Sequence, residues 1–359
     1  MNAIFACGGT GGHIFPAIAI AEELMSREKA NLLFVGSYEG IEKNIMKKLK
    51  FDFAPISAKP LIRQVTVINL INAIYIIKAI FESLKIIKEF NPDIVIGTGG
   101  FVSFPMLIAA VLNKKKTLIH EPNVYPGIAN RLLGLFVTRI TTGFKETKKY
   151  FPGHKTKVTG NPVRFSILGK DKSMGRKHFK LACKKRTVLI MPGSRAAKKI
   201  NDIVSISLKG IEKEIKNIQI IWMTGRADYK KIKSIVKQSK LKIRIFDFIY
   251  NTGYAYAACD VAVLRAGAST LSEIVAMQIP AILVPYPYAT DNHQEKNALL
   301  FEKNKAAVVI KDRDLNGEKL INGLKFLLNK KNRENMRKNI KKLYVKNGAK
   351  KIVDFIQEI

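Results

Sequence analysis

Short apolar runs alternate with longer amphipathic segments along nearly the whole chain. The runs have the length of buried strands, and most of the segments between them are long enough for crossover helices. The predicted strands are Ala3–Cys7, Leu32–Val35, Ile94–Ile96, Thr117–His120, Thr187–Met191, Gln219–Met223, Ile243–Phe246, Val261–Leu264 and Ala281–Val284. Strands that alternate with helices are typical of parallel, doubly wound sheets. The pattern therefore predicts an α/β fold.

The alternation pauses near Gly160-Asn161-Pro162 and restarts after a lysine-rich stretch from Gly169 to Arg186. A chain of 359 residues is too long for one typical hydrophobic core. We expect an N-terminal domain over 1–162 and a C-terminal domain over 163–342, with a last helix at about 343–359 that packs back on the first. Two Rossmann-like domains facing each other across a cleft would bind ligands at the carboxyl ends of their strands.

Two glycine-rich turns stand out, and each follows a predicted strand. The first lies in IFACGGTGGHIFPA, from Ile4 to Ala17, and the second in DIVIGTGGFVSFPM, from Asp93 to Met106. Pro16 and Pro105 are predicted at the first position of the helix that follows, where the missing N–H costs nothing. Glycines let backbone N–H groups approach a ligand, and a helix N-terminus carries partial positive charge. The pair of turns therefore predicts a cradle for a phosphorylated ligand.

The segment from Leu61 to Phe90 has two parts with different patterns. The earlier part is apolar nearly all round but too short for a membrane span. The later part is amphipathic, with a polar stripe of Lys78, Glu82, Lys85 and Glu89 opposite an apolar stripe of Ile77, Ile80, Phe81, Leu84 and Ile87. The pattern slightly favours a buried helix; the alternative is a membrane-touching face with Lys59 and Arg63 nearby.

The formal net charge of the chain is +34. A balance this basic favours association with polyanions, either nucleic acid or an anionic membrane surface. Lysine outnumbers arginine and is spread along the whole chain beside abundant isoleucine and asparagine, so a biased genome explains the charge equally well. Basic strands with interleaved aromatic residues, which single-strand binders use, are missing from the sequence.

Three cysteines, Cys7, Cys183 and Cys259, are scattered in apolar, strand-like surroundings. An odd number without a spacing pattern predicts a reducing cytoplasm and a role for each as small core filler. The chain begins directly with a core strand, so we expect no secretory leader.

Candidate chemistry in the first half lies where predicted strands end. His13 directly follows the first glycine turn, where a neutral imidazole could act as a general base; a structural histidine is the alternative. His120, Glu121 and Asn123 follow a strand and are expected to face the same cleft, unless they only form the turn around Pro122. Arg164 could reach a phosphate from the linker, or it is one more surface cation.

The second half repeats this arrangement. Ser194 follows the strand that ends at Met191 and could bind a phosphate. Arg265 to Thr270 is a turn of mostly small residues before a helix expected to start near Leu271, which predicts a second anion site. Glu273 either accepts both hydroxyls of a ribose or completes a capping box with Thr270.

A dense polar cluster follows the strand that ends at Val284. It reads PYPYATDNHQEKNA from Pro285 to Ala298 and contains Asp291, Asn292, His293 and Gln294. Such a cluster suits sugar hydroxyls.

Several other kinds of site are absent from the sequence. The chain has no GxxxxGK[ST] phosphate loop, no GxGxxG dinucleotide fingerprint and no zinc-ligand spacing. Asp312-Arg313-Asp314 is similar to the acidic pair that holds a metal in some glycosyltransferases, but its position before an amphipathic run favours a helix start. We therefore expect no cofactor and no obligate metal.

The motifs GGTGGHIFPA, GTGGFVSFP, HEPNVYPGIANR, GNPVR and RAGASTLSEI occur in this order, followed by the polar run at 291–298. In this combination the chain resembles the MurG-type peptidoglycan glycosyltransferases from Ile4 to about Ala307. The resemblance implies a GT-B fold and an enzyme bound peripherally to the cytoplasmic face of the inner membrane. It also implies transfer of N-acetylglucosamine from UDP-N-acetylglucosamine to lipid I, with inversion, to make lipid II.

The resemblance assigns roles to matching positions. It makes His13 the base that deprotonates the 4-hydroxyl of the muramoyl sugar, and it places Glu273 on the ribose and the backbone near Ile249 on the uracil. The positions implied for UDP-N-acetylglucosamine are Thr10, Gly11, Gly12, Asn123, Arg164, Ser194, Ile249, Ala268, Ser269, Thr270, Leu271, Ser272, Glu273 and Gln294. Those implied for the acceptor diphosphate are Gly97, Thr98, Gly99 and Gly100.

One motif departs from the family pattern. Pro192 and Ala196 stand where the family usually has glycines, and Pro-Gly-Ser-Arg is similar to lipid-A-disaccharide synthase instead. Pro192 also removes a possible N–H donor beside Ser194. Three alternatives therefore remain beside the peptidoglycan enzyme: a related lipid-acceptor glycosyltransferase, a sugar-nucleotide epimerase on the same fold, and a basic nucleic-acid-binding protein. The implied partners are the sugar nucleotide, lipid I and an anionic membrane surface, with no nucleic acid expected.

Overall fold

The computed structural model describes residues 1–60, 67–193 and 198–358. The chain divides into two compact units, one formed by Met1–Arg164 with Val345–Ile359 and the other by Phe165–Tyr344.

The first unit is built on a parallel sheet. Its strands are β1 Asn2–Ala6, β2 Asn31–Ser37, β3 Asp52–Ile56, β4 Ile94–Gly97, β5 Lys116–Glu121, β6 Arg139–Thr142 and β7 Thr156–Val158. Its helices up to the linker are α1 Gly11–Arg27, α2 Ile41–Leu49, α3 Val67–Phe90, α4 Ser103–Leu112 and α5 Ile128–Phe136. In the described part of the chain the strand order is β3-β2-β1-β4-β5-β6-β7, with every neighbouring pair parallel.

The second unit repeats the plan. Its strands are β8 Arg186–Met191, β9 Ile218–Met223, β10 Lys242–Phe246, β11 Val261–Leu264, β12 Ala281–Leu283 and β13 Val308–Val309. Its helices are α6 Lys172–His178, α7 Lys198–Glu214, α8 Arg226–Val236, α9 Thr252–Ala258, α10 Ala268–Ala276, α11 His293–Lys303, α12 Gly317–Leu328 and α13 Lys330–Lys342. The sheet order among the described residues is β10-β9-β8-β11-β12-β13, again parallel throughout.

The last helix, α14 Gly348–Gln357, belongs to the first unit and packs against α1. Its apolar side chains join the core beneath α1, and Arg27 reaches across to the Asp354 carboxylate at 2.6 Å. A hydrophobic face therefore holds this helix in place, with an ion pair at its edge.

Successive side chains of β1 point to opposite faces of the sheet, so this strand contributes to a hydrophobic core on each face. Ala3 and Phe5 point to the side covered by α1, α2 and α14, whereas Ile4 and Ala6 point to the side covered by α3, α4 and α5. All four are fully buried. A strand buried on both faces reads as a continuous apolar run, which is why these strands could be predicted.

The predicted α/β fold is confirmed. Each predicted strand is present, with small differences at its ends, and the two parallel sheets with interleaved helices are those expected from the alternation. The prediction missed four strands: Asp52–Ile56, Arg139–Thr142, Thr156–Val158 and Val308–Val309, which are β3, β6, β7 and β13.

Three smaller expectations were wrong. Pro16 is the sixth residue of α1 and Pro105 the third of α4, so neither opens its helix. Cys183 is exposed and not core filler, whereas Cys7 and Cys259 are buried as expected.

The buried helix predicted over 61–90 was also wrong in its described part. Ile74, Ile77 and Phe81 of α3 are each more than half exposed. Leu61 and Arg63 lie outside the described residues. No helix in the described ranges is long and apolar enough to cross a membrane.

A fully buried histidine ties β5 to the linker of the first unit. The Asn161 side chain donates its Nδ2 to the Pro122 carbonyl at 2.9 Å, so its Oδ1 faces His120 Nε2, also at 2.9 Å. His120 Nε2 must then carry the proton, and Nδ1 accepts from the Thr141 hydroxyl at 3.0 Å. Burial lowers the pKa of His120 from 6.5 to about 4. The neutral imidazole is therefore the folded form.

This pKa predicts an acid-dependent loss of stability. The unfolded chain binds a proton at His120 below pH 6.5, whereas the folded chain does so only near pH 4. The free energy of unfolding is therefore unaffected by His120 above pH 6.5 and falls by roughly 3 kcal/mol as the pH drops toward 4. Urea titrations at several pH values should show a shallower pH slope for His120→Gln than for the wild type. His154→Gln, at an exposed histidine, is the control; equal slopes for all three proteins would contradict the prediction.

Candidate functional site

The first glycine turn connects β1 to the start of α1. Thr10 is the extended residue before the helix, and the backbone N–H groups of His13 and Ile14 donate to its carbonyl at 3.1 and 3.2 Å. Gly11 and Gly12 are the first two residues of α1, at the end where the helix dipole places partial positive charge. This end of α1 therefore has the polarity that favours an anion.

His13 is held by the residue that follows β4. Its Nδ1 lies 3.0 Å from the backbone carbonyl oxygen of Thr98. A carbonyl oxygen only accepts, so Nδ1 carries the proton in this contact and Nε2 of the neutral ring carries the lone pair. The Thr98 hydroxyl in turn donates to the His13 carbonyl at 2.7 Å. His13 therefore has the tautomer and the support that a general base requires.

The second glycine turn leaves room for this ring. Gly99 and Gly100 have φ values of +102° and +86°. A Cβ on Gly99 would lie 2.5 Å from His13 Nδ1, and one on Gly100 would lie 2.4 Å from the Gly8 carbonyl oxygen. The two predicted turns thus interlock, and the absence of side chains here is explained by contacts within the protein.

Two N–H groups of the second turn already have partners. The Thr98 N–H donates to the Ala6 carbonyl at 3.2 Å, and the Gly99 N–H donates to the Ser103 hydroxyl at 3.1 Å. In this conformation these two groups are not available to a diphosphate. The acceptor-diphosphate role of Gly97 to Gly100 stays a prediction.

Glu121 organises the loop after β5 from inside. Its carboxylate accepts from the Asn123 N–H and Nδ2 on one oxygen, and from the Gly127 N–H and Asn130 Nδ2 on the other, at 2.8–3.2 Å. Burial raises the pKa of Glu121, against these hydrogen bonds, which lower it. Its side chain is only 2% exposed.

The expectation that His120 and Glu121 face a ligand is therefore wrong. Both side chains are buried and occupied by internal hydrogen bonds, as turn chemistry requires. Asn123 is the member of this group whose ligand role stays a prediction. Its amide is held by Glu121 and its carbonyl accepts from the Thr147 hydroxyl at 2.9 Å.

Arg164 lies beside the first glycine turn, within the first unit. Its guanidinium stacks 4.0 Å from the centre of the Phe15 ring, and a Cβ on Gly11 would lie 2.9 Å from that ring. A stacked guanidinium keeps its charge and its in-plane donors. Arg164 is therefore a placed cation and not an isolated surface charge.

In the second unit, the turn after β11 leads into α10 at Ala268. Gly267 is the extended residue before the helix, so the helix starts three residues earlier than expected. Thr270 lies inside the first turn of α10 and is not its N-cap, so the alternative that Glu273 completes a capping box with Thr270 is wrong. Ser272 returns its hydroxyl to the Ala268 carbonyl at 2.7 Å. This helix start follows a strand, as expected, and its role as an anion site stays a prediction.

Glu273 lies on the same helix and is 8% exposed. The Tyr256 hydroxyl donates to its Oε2 at 2.8 Å. This contact orients the carboxylate from α9. The other residues proposed at this helix differ in exposure: Ala268 and Leu271 are buried, whereas Ser269 and Thr270 are partly exposed.

Gln294 joins two loops at the carboxyl end of the second sheet. Its Oε1 accepts from the Ala266 N–H at 3.2 Å and from the Tyr286 N–H at 3.0 Å. Arg265 lies below, bonded to the carbonyls of Val284 and Pro285 and paired with the Asp312 carboxylate. Gln294 therefore fixes the loops after β11 and β12 relative to each other.

Asp312 and Asp314 form a short 3₁₀ turn, as the helix-start interpretation predicts. No group of three or more His, Cys, Asp or Glu side chains that could hold a metal occurs in the described part of the chain. Ile249 is buried. Its two neighbours in the chain, Phe248 and Tyr250, are exposed, and their rings meet edge to face. Ser194 and Ala196 lie outside the described residues.

Sequence reasoning missed Ser103 and Tyr256, and it gave Thr98 and Arg265 no supporting role. The Thr98 hydroxyl, Ser103, Tyr256 and Arg265 each fix a residue or loop named above. Ser103 and Tyr256 lie inside apolar stretches, where a lone polar side chain is the only signal.

Comparison with known proteins gives consistent results. Residues 3–142 match the glycosyltransferase family 28 N-terminal domain, and residues 187–354 match the glycosyltransferase family 28 C-terminal domain. A protein of Halothermothrix orenii is 42% identical over 92% of this chain and 91% of its own. A protein of Desulforamulus reducens is 40% identical over 100% of this chain and 99% of its own. Both are named UDP-N-acetylglucosamine--N-acetylmuramyl-(pentapeptide) pyrophosphoryl-undecaprenol N-acetylglucosamine transferase.

Among solved structures, Acinetobacter baumannii MurG superposes with a TM-score of 0.80 at 27% identity, over 100% of this chain and 99% of that one. A UDP-GlcNAc 2-epimerase from Neisseria meningitidis has a TM-score of 0.72 at 15% identity, over the full length of both chains, which shows a shared fold only. The relatives, both domain matches and the MurG structure agree with the resemblance seen in the sequence, and the chain is a glycosyltransferase of family 28.

Proposed function

We propose that this enzyme transfers N-acetylglucosamine from UDP-N-acetylglucosamine to the muramoyl 4-hydroxyl of undecaprenyl-pyrophosphoryl-N-acetylmuramyl-pentapeptide, the step that completes the disaccharide precursor of peptidoglycan. The names of relatives about 40% identical over the full chain support the substrates. The observation that carries the mechanism is the hydrogen bond from His13 Nδ1 to the Thr98 carbonyl.

In this mechanism the base and the acceptor belong to the first unit. His13 Nε2 takes the proton of the acceptor hydroxyl as its oxygen bonds to C1 of the donor sugar. The bond from C1 to the diphosphate oxygen breaks, the anomeric configuration inverts, and UDP leaves with the electron pair. Arg164 contacts the diphosphate, and the start of α1, with Thr10, Gly11 and Gly12, adds partial positive charge.

The second unit binds the nucleotide. The N–H groups at the start of α10, from Ala268 to Ser272, face the phosphates, Glu273 accepts from the ribose hydroxyls, and the backbone at Ile249 reads the uracil. Gln294 and Asn123 hold the sugar, and Ser194 adds a diphosphate contact. We propose 1–162 as the acceptor and membrane domain, with the helix at about 343–359 packed on it, and 163–342 as the nucleotide domain.

An exposed apolar surface on the first unit supports membrane binding. The chain passes through β3, β4, β5 and β6 in one direction across the sheet, so right-handed crossovers place α3, α4 and α5 on one side. Their outward side chains form what we call the α3–α5 face: Ile74, Ile77, Phe81, Leu112, Ile128, Leu132, Leu135 and Phe136, all about half exposed or more.

A surface of this kind suits lipid and not nucleic acid. Aliphatic side chains gain from acyl chains but not from phosphates or bases. Lys78 and Lys85 are exposed on α3 beside it, within 4.0 Å of the Glu82 and Glu89 carboxylates, and at the membrane they would exchange these weak surface pairs for anionic headgroups. We propose that the enzyme binds peripherally to the cytoplasmic face of the inner membrane through the α3–α5 face, and that this gives the positive charge of the chain a use.

His13→Ala should lower kcat by about 10²–10⁴-fold, the usual loss when a general base is removed. The binding of UDP should persist, because the nucleotide site belongs to the second unit. Transfer of radiolabelled sugar from UDP-N-acetylglucosamine to lipid I measures kcat, and calorimetry with UDP measures nucleotide affinity. His154→Ala is the matched histidine control. Undiminished turnover in His13→Ala would remove this residue from the mechanism.

The same assay tests the alternative of a sugar-nucleotide epimerase. An epimerase would bind the sugar nucleotide yet leave lipid I unmodified.

Glu273→Ala should weaken UDP binding by about 1.5–3 kcal/mol, the range for hydrogen bonds to a charged group. Glu273→Gln, which keeps the size and an acceptor for Tyr256, separates charge from packing. Calorimetry gives the affinities and thermal melts the stabilities. If Glu273→Ala melts earlier but binds UDP as the wild type does, the carboxylate has only a structural role.

Phe81→Ser with Phe136→Ser should weaken binding to vesicles that contain anionic lipid by at least about tenfold, because each ring contributes roughly 1.5–3 kcal/mol when buried. Binding should also fall with added salt. Vesicle co-sedimentation measures both. Ile206→Ser is the control, since Ile206 is 73% exposed on α7 of the second unit. Equal wild-type binding to neutral vesicles in high salt would contradict the proposal.

A further inference from the structure

We infer that Thr98 is a positioning residue for catalysis, because it selects the tautomer of His13 and fixes the direction of its ring. The inference rests on the proposed role of His13 as the base. The sequence assigns Thr98 a role only through the diphosphate prediction for its turn, and its contacts point to a different one.

The first step of the argument is the ring contact. A neutral imidazole exchanges its proton between two nitrogens, and only the form with a lone pair on Nε2 can accept a proton at that atom. The Thr98 carbonyl accepts from Nδ1 at 3.0 Å and so favours one form. That carbonyl is itself fixed, because the Thr98 N–H bonds to Ala6 in the neighbouring strand and the residue is fully buried.

The second step is the hydroxyl. Thr98 Oγ1 donates to the backbone carbonyl of His13 at 2.7 Å, which fastens the first turn of α1 to the end of β4. Ring and backbone of the same histidine are thus both held by Thr98. Without the hydroxyl, the first turn of α1 would be held less firmly, and the His13 ring that it carries would be less well aligned with the fixed Thr98 carbonyl.

The third step is the space around the ring. Gly99 presents backbone to His13, since a Cβ there would lie 2.5 Å from Nδ1. The Ser103 hydroxyl accepts from the Gly99 N–H at 3.1 Å, and it also lies 2.8 Å from the Ala6 carbonyl and 2.9 Å from the Gly99 carbonyl. The turn is therefore pinned in the shape that the ring needs.

The test compares Thr98→Val, which has the same shape without the hydroxyl, with Thr98→Ser, which keeps it. We expect Thr98→Val to lose roughly tenfold in kcat, the size of one ordinary hydrogen bond, with KM for UDP-N-acetylglucosamine unchanged. Thr98→Ser should lose less. Thr98→Ala, which also lacks the hydroxyl, serves if the valine variant folds poorly.

A spectroscopic readout separates positioning from stability. Proteins labelled with ¹⁵N-histidine should show His13, identified by its loss in His13→Gln, with a protonated Nδ1 and a bare Nε2 in the wild type at alkaline pH. In Thr98→Val the two nitrogen signals should move toward each other, and in Thr98→Ser they should not. An unchanged tautomer in Thr98→Val, or losses of kcat that only follow the melting temperature, would overturn the inference.

The readouts also distinguish the two proposals. If His13→Ala turns over normally, the proposed base is wrong, yet the nitrogen signals still report whether Thr98 selects the tautomer. If His13→Ala is inactive and the signals do not respond to Thr98→Val, the base stands and this inference fails.

Discussion

The hydrogen bond between His13 and the Thr98 carbonyl depends on one constraint, the pairing of β1 with β4. These strands are parallel neighbours, with Ala6 opposite Gly97, so the turns that follow them leave the sheet at the same edge. Residues 85 positions apart in the chain then come within hydrogen-bond distance. Gly99 must lack a side chain for the ring to fit. A strand pair, two turns and one helix start therefore act together to direct a single ring nitrogen.

His13 and His120 differ in burial: His13 is partly exposed, whereas His120, at the end of β5, is fully buried. His120 is fully buried and has its pKa lowered to about 4, so it stays neutral and holds the linker through Asn161. Glu121 beside it is also enclosed and holds four donors. A buried polar group is tolerated only when its partners are complete, and groups with complete internal partners have little left for a substrate. The structural role of His120 follows from this rule.

The sequence predicted strands that are buried on both faces and missed others. Ala3–Cys7 and Val261–Leu264 are continuous apolar runs, and such runs are conspicuous in a chain rich in lysine. β3 is an edge strand with a proline, and β7 is an edge strand of three residues, so neither needs an apolar run. β6 carries Thr141 and Thr142, whose hydroxyls are used by His120 and Phe144. Its polarity comes from tertiary partners that no local pattern contains.

Within each unit, the sheet edge at which the motifs lie could be predicted, because the turns that follow parallel strands leave a sheet at its carboxyl edge. The role of each residue could not be predicted, because it depends on contacts with residues that are distant in the sequence. Local statistics placed Thr270 at a helix cap and Pro16 at a helix start, yet both helices begin at the small residues that end the turn. A glycine before a helix start admits a tight turn, and the N–H groups exposed there suit a ligand better than a side-chain cap would. Both helix starts are therefore set by the turn that precedes them, and no local preference for a capping residue locates them.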